Sequence, residues 1–284
     1  MTPPPAAAAP VARVRAGDVE LAYRRWGQGP PVVLVHGGPG GSGSYWPHAL
    51  RGLVRERTLV AVDLRGHGAS ERRPPYSLSR FAADLSALPD ALGLERPALL
   101  GHSFGALVAL RAALDDPRFE RVILVGGFAR SWRTLAHPSG LSTKLRLGAR
   151  LARWNVLQRL GRAPPLVPHL RALLREAEPV FTGPGTPAWV DDLLFASVVE
   201  PLDAVSPLQL DLLRWDVWRE IPRLRARVLV AVGEHDLVGG AEARAMARRI
   251  PGARLAIIPG AGHSPFLERP EDFDAEVLRF LRAP

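Results

Sequence analysis

The chain contains no cysteine, which excludes disulfides, thiolate zinc sites and a cysteine nucleophile together. Its 284 residues, 47% of them hydrophobic, must instead rely on a buried apolar core, and they suffice for one large domain with an inserted subdomain. A thiol-free composition also fits a cytoplasmic setting. Lysine is nearly absent: Lys144 stands alone, so the formal charge of +9 is carried by arginine. The arginines are scattered, and no short window gathers the basic patch that nucleic acid requires. Long apolar runs are missing too, since none approaches the roughly 20 residues that span a bilayer. The opening stretch "MTPPPAAAAPVARVRAG" lacks the early positive charge and apolar segment of a secretory signal, and residues 1–10 read as a solvated tail. The histidines show no metal-ligand spacing. No cofactor, metal, nucleic acid or membrane is expected as a partner.

What is present is alternation. "VRAGDVELAYRRWG" reads as a hairpin turning at Gly17-Asp18. After it, "PVVLVHG" (31–37), "TLVAVDLRG" (58–66), "PALLGHS" (97–103) and "RVILVGG" (121–127) are short Val- and Leu-rich runs ending near glycine, as buried parallel strands do. Phe81, Leu85, Leu88 and Leu92 recur at helical spacing behind Ser79, the expected N-cap, and "FGALVALRAAL" makes the next helix. The pattern breaks at about residue 128. To about 222 it shows helical fragments, irregular prolines and no strand, and it then resumes with "ARVLVAVGEHD" (226–236) and "ARLAIIPGAGH" (253–263). A closing helix follows Pro270, with Phe273, Val277, Phe280 and Leu281 on one face. The expected architecture is an α/β core of residues 11–127 and 223–284, a mostly parallel central sheet flanked by helices, interrupted by a helical cap at 128–222.

"GHSFG" (101–105) places Ser103 between a buried strand and a helix, the setting in which G-x-S-x-G exposes a nucleophile. A serine hydroxyl needs a base to take its proton and an acid to orient that base. Asp236 follows one strand and His263 the last, so the chain order is Ser, Asp, His. Glu234 is a rival acid two residues before Asp236. His263 is preferred to the other histidines because it occupies the glycine-rich loop after the final strand. His102 would point away from the nucleophile, and His36 and His67 suit structural hydrogen bonding. Charge developing on a carbonyl oxygen needs backbone donors, and the Phe104 N–H and Gly38 N–H, the latter from "HGGPGG" (36–41), are the candidates for an oxyanion hole.

Taken together, "HGGPG", "DLRGHGAS" (63–70), "GHSFG", "GEHD" and "GAGHSPFLERPEDF" resemble the α/β-hydrolase family over nearly the whole chain from about residue 12. The resemblance implies a serine hydrolase of ester or amide bonds, acting through an acyl-enzyme on a small-molecule or short-peptide substrate. A serine at the elbow, where epoxide hydrolases and haloalkane dehalogenases carry aspartate, disfavours their alkyl-transfer chemistry. "HGGPG" is similar to the loop of proline iminopeptidases, although "GHSFG" and Leu64 depart from that family's pattern. That family's cap also supplies acidic residues to hold the substrate amine; Glu176, Glu178, Glu200, Asp203 and Glu220 are available here, but all equally suit solvated helix faces and none is assigned. Carboxylesterase-like and proline iminopeptidase-like activities are both expected readings. Carbon–carbon bond hydrolysis and a hydrolase-like ligand receptor are the alternatives. The inserted segment holds Trp132, Trp154, Trp189, Trp215 and Trp218, which suits either an apolar acyl pocket or packing of cap onto core.

Overall fold

The computed structural model of the protein describes residues 9–131, 149–150, 153–154, 156–157, 160–162, 168, 172, 181–198 and 205–283. Strands β1 (Ala12–Ala16) and β2 (Val19–Gly27) form the hairpin that turns at Gly17-Asp18. The apolar runs become β3 (Pro31–Val35), β4 (Thr58–Val62), β5 (Ala98–His102), β6 (Arg121–Val125), β7 (Arg227–Gly233) and β8 (Arg254–Ile258). Eight strands join in the order β1-β2-β4-β3-β5-β6-β7-β8; the pairs involving β2 are antiparallel and every other pair is parallel. Each parallel strand therefore opens its C-terminal end at the same edge of the sheet, where ligands of open α/β sheets bind.

Alternation along the strands divides the core in two. Val33, Val35, Val60 and Val62 face α1 (Leu78–Leu92), α2 (Phe104–Asp115) and α5 (Gly240–Arg249) through Phe81, Leu107 and Met246. Val32, Leu34, Leu59 and Ala61 face the other way, towards Trp46 and the residues Phe273, Val277 and Phe280 of α7 (Pro270–Arg282). Both sheet faces are covered, which is why these strands are continuously apolar.

Between β6 and β7 lie α3 (Ala188–Ala196) and α4 (Val205–Arg214), and no strand occurs there among the described residues. The two stems of this segment pair with each other: Ser131 N–H donates to the Trp215 carbonyl and Val217 N–H to that of Ala129, each at 3.0 Å, around an antiparallel bridge of Arg130 and Asp216. Arg130 also meets Glu242 of α5 at 2.9 Å, and the Trp218 ring covers its guanidinium at 3.4 Å. The short helix α6 (Pro265–Glu268) follows β8. No described helix is long and apolar enough to cross a membrane.

Helix α1 differs from expectation at its start. Ser77, not Ser79, is the N-cap, its hydroxyl accepting the Arg80 N–H at 3.2 Å, and Ser79 lies inside the first turn. Both serines satisfy the sequence preference, so backbone geometry decides: Ser77 has the extended φ and ψ that a capping residue needs. One anchor lies within "DLRGHGAS", where the sequence alone did not tell its role. Arg65, fully buried, forks onto both oxygens of Asp84 at 2.7 Å and reaches Asp18 at 2.7 Å, tying the β1–β2 turn to α1 and to the loop after β4.

A buried carboxyl on α7 makes a testable contribution to stability. Asp274 Oδ2 accepts the Gly52 N–H at 2.6 Å while Oδ1 is buried with no partner among the described residues, and burial pushes its pKa up from 3.8 to about 6. The folded state thus binds this proton more tightly than the unfolded chain, so stability is lost as pH rises through about 6. Asp274→Asn keeps an acceptor for Gly52 and cannot ionise. It should gain about 1–2 kcal/mol at pH 8, less than the full cost of the buried charge because one amide N–H stays unpaired, and almost nothing below about pH 4. Urea denaturation at the two pH values checks both.

Candidate active site

The elbow at Ser103 is made possible by contact too close for a side chain. A β-carbon on Gly101 would stand 2.3 Å from the Gly105 carbonyl oxygen, and one on Gly105 would stand 2.4 Å from that of Val35. The chain therefore passes from β5 into α2 in one turn, with Ser103 at φ +53° and ψ −117° between them. That positive φ is a strained state for a residue with a β-carbon. It is fixed by the Ser103 N–H bond to the Val125 carbonyl at 2.7 Å. Phe104 opens α2, so its N–H has no acceptor four residues back within the helix. Gly38 adopts φ +126° in the loop after β3, and with Gly37 and Pro39 it lines the same cavity as Ser103.

His263 enters this cavity from the loop after β8. Its Nδ1 lies 3.0 Å from Asp236 Oδ2 at the end of β7, and Asp236 Oδ1 is held by the Val238 and Gly239 N–H groups at 2.8 and 3.0 Å. Both side chains are almost wholly buried. Nε2 of His263 has no hydrogen-bond partner among the described residues. Burial alone would lower the pKa of this imidazole, but the Asp236 carboxylate on Nδ1, with Glu268 behind it, more than reverses the effect and leaves it above the usual value. The rival acid is elsewhere: Glu234 points outward and accepts the Gly260 N–H at 2.9 Å.

Three other histidines, His102, His36 and His67, are buried near the site, and His102, expected to point away from Ser103, lines the same cavity. His102 is buried and neutral, its pKa held well below the usual value by burial and then by His263. Its partners fix the tautomer: Nε2–H donates to the His263 carbonyl at 3.1 Å, Nδ1 accepts from the Tyr45 hydroxyl at 3.1 Å, and the Tyr45 oxygen accepts the Gly37 N–H at 2.8 Å. This chain of bonds links the loop after β3 to the loop after β8 through two side chains, and Tyr45 had no sequence signal. His36 is likewise buried, its pKa lowered to about 4 by burial, with Nδ1 donating to the Gly37 carbonyl and Nε2 accepting the Leu64 N–H. His67 packs beside Phe81 and Phe104.

The cavity above Ser103 has a volume of about 270 Å³. Tyr45 forms part of its floor, and Phe181, Leu194, Phe195 and Val198 bring apolar surface from the inserted segment. Asp191 of α3 contributes a buried carboxylate to the same wall. None of the four described tryptophans, Trp154, Trp189, Trp215 and Trp218, is among the residues that line this pocket, which for these four corrects one of the two readings that their enrichment allowed. Trp215 is buried on the core with its Nε1–H donating to the Phe128 carbonyl at 2.9 Å, and Trp218 lies against Arg130 and Arg249. Trp189 lines a separate groove with Phe266, Asp274 and Leu278, and Trp154 is buried elsewhere. Trp215 and Trp218 sit at the returning stem, where flat rings pack the insertion onto the sheet. Trp132, like Glu176, Glu178, Glu200 and Asp203, lies outside the described residues. Glu220 pairs with Arg111 at 2.8 Å, away from the cavity.

Residues 32–276 match the model of the alpha/beta hydrolase family, so the chain belongs to that family and is a hydrolase. Among curated relatives, a protein of Caulobacter sp. (strain K31) that carries the name carbamate hydrolase RutD is 29% identical over 94% of this chain and 98% of its own. Among solved structures, a thermophilic esterase from Thermogutta terrifontis aligns with a TM-score of 0.77 at 29% identity, covering 96% of this chain and 98% of that one. A proline iminopeptidase of Mycobacterium smegmatis aligns with a TM-score of 0.67 at 22% identity, covering 96% and 97% of the two chains, a likeness of fold alone.

Proposed function

We propose that the protein is a serine hydrolase that cleaves an ester or amide of a small, largely apolar acyl group. Ser103 Oγ attacks the carbonyl carbon as His263 Nε2 takes its proton, and Asp236 holds the imidazole with Nδ1–H towards its carboxylate. The carbonyl oxygen gains negative charge between the Phe104 and Gly38 N–H groups. His263 then returns the proton to the leaving alcohol or amine, leaving an acyl-enzyme. Water, deprotonated by the same Nε2, attacks that ester, and as the acyl–oxygen bond breaks Nε2–H returns the proton to Ser103 Oγ and the acid is released. The observation that carries this reading is the buried His263–Asp236 pair, 3.0 Å apart, whose second imidazole nitrogen is unpartnered in the cavity that Ser103 lines. A carbamate hydrolase and an esterase among its relatives both concern acyl chemistry.

The cavity's volume of about 270 Å³ favours short or compact acyl groups. A series of p-nitrophenyl esters should show kcat/KM highest for short chains, and a fluorophosphonate should label Ser103. Failure of both would remove the reading. One observation favours an aminopeptidase as the second reading: Asp191 adds a carboxylate-bearing residue to the wall that Phe181, Leu194, Phe195, Ser197 and Val198 form. If it binds a free amine, Asp191→Asn will lower kcat/KM for proline or alanine arylamides while sparing esters. An equal effect on both would reject the amine role.

The close fit around the base gives a further expected result. Gly126 has φ +60°, and a β-carbon there would lie 2.8 Å from both Cε1 and Nδ1 of His263. Gly126→Ala should displace the ring and reduce kcat/KM by about 100-fold, the scale of a misplacement near 1 Å. Ester kinetics on protein of verified thermal stability measure it.

A further inference from the structure

We propose that Glu268 is a positioning residue for His263, locking the loop that carries this base to residues 183–186 of the inserted segment. Four donors converge on one buried carboxylate. Oε2 accepts the N–H groups of Gly262 and Gly183 at 2.8 Å and shares the Thr186 hydroxyl, also at 2.8 Å, with the Gly183 carbonyl, and Oε1 accepts the Ser264 N–H at 2.9 Å. Two of these donors flank His263 in sequence, and the other two belong to the segment that leads into α3. The backbones also touch: His263 N–H donates to the Phe181 carbonyl, and a β-carbon on Gly262 would stand 2.5 Å from that same oxygen. Phe181 in turn lines the cavity and lies against the His263 ring with centroids 5.4 Å apart. The wall of the pocket and the base are thus fastened at one point.

An acceptor-only group is required at this junction, because a carboxamide would turn N–H against N–H on at least one oxygen position. The titratable groups facing His263 are Asp236, Glu268 and His102. Glu268 makes no contact with the Nδ1 or Nε2 of that ring, so it acts through the backbone of residues 262–264 and through its charge. The inference rests on the hydrolase reading only for its kinetic consequence.

The test uses Glu268→Gln in the full chain, with NMR titration of the His263 ring as a readout that needs no substrate. The His263 pKa should fall, the acidic limb of the kcat/KM profile for p-nitrophenyl esters should move to lower pH, and kcat should drop by about 10-fold or more with KM less affected. A folded variant with an unmoved His263 titration and kcat within about 2-fold of wild type overturns the proposal. Should Glu268→Gln not fold, Thr186→Val decides, since it removes one insertion-side donor and leaves the loop bonds intact. Fluorophosphonate labelling of Ser103 should then slow by about 2- to 5-fold, and a wild-type rate overturns the coupling. If wild type neither turns over esters nor labels, the hydrolase reading fails separately, while the His263 titrations of wild type and Glu268→Gln still decide the positioning role.

Discussion

Replacing Ser103 by alanine should reduce ester turnover by at least about 10⁴-fold while leaving the melting temperature within a few degrees of wild type. Loss of Oγ removes the only proposed nucleophile, and what persists is the modest catalysis available from the oxyanion donors and from binding. Glycine at the same position separates function from strain. Ser103 sits at φ +53°, and alanine retains the β-carbon that makes this conformation unfavourable. Ser103→Gly, equally inactive, should therefore be more stable than wild type by about 1 kcal/mol, because glycine occupies this region freely. The gain is partly offset by the greater backbone entropy of glycine in the unfolded chain. Parallel thermal melts and kinetics of the two variants measure it. An alanine variant as stabilised as the glycine one would show that the backbone is unstrained, and residual hydrolysis near the wild-type rate would remove Ser103 from the mechanism.

The parallel strands were legible because both faces are covered, which calls for Val- and Leu-rich runs of five to seven residues, and glycine follows each. Loops at the ends of such strands gather at one edge of the sheet, so Ser103, Asp236 and His263 could be grouped from chain order alone. Side-chain direction is a different matter. Glu234 and Asp236 share one loop, and only the turn that binds Asp236 Oδ1 to the Val238 and Gly239 N–H groups aims one carboxylate inward and leaves the other in solvent. Tryptophan enrichment likewise reported that the insertion packs aromatics without telling which surface they cover. In the described part they hold its stem and a neighbouring groove, while Phe181, Leu194, Phe195 and Val198 face the cavity. Tyr45 and Asp191 carried no sequence signal, and Glu268, although it stands in "GAGHSPFLERPEDF", carried none that told its role. Tyr45 meets Gly37 in its own loop but also His102, 57 positions away, and Glu268 joins its own loop to Gly183 and Thr186, 85 and 82 positions away, so each matters through the distant atoms it reaches.

Asp236→Asn should lower kcat by about 10³- to 10⁴-fold, with a change in pH dependence that alanine at Ser103 cannot produce. The wild-type carboxylate sets both the orientation and the proton affinity of His263, since Oδ2 lies 3.0 Å from Nδ1 and outweighs the effect of burial. General base catalysis needs neutral Nε2, so wild-type kcat/KM should fall as pH drops through a His263 pKa above the usual value. In the asparagine variant, burial prevails and that pKa drops, which moves the acidic limb to lower pH. The plateau collapses nonetheless, for a carboxamide can present N–H to Nδ1 and select the tautomer with its proton on Nε2, the nitrogen that must accept from Ser103. Two effects of one substitution thus have opposite signs at low pH: more of the imidazole is neutral, and less of it is the productive tautomer. The ratio of wild-type to variant kcat/KM should consequently be largest on the alkaline plateau and shrink as pH falls between the two limbs. A ratio constant with pH would mean that Asp236 orients the ring without raising its basicity, and the charge-based part of the account would fall.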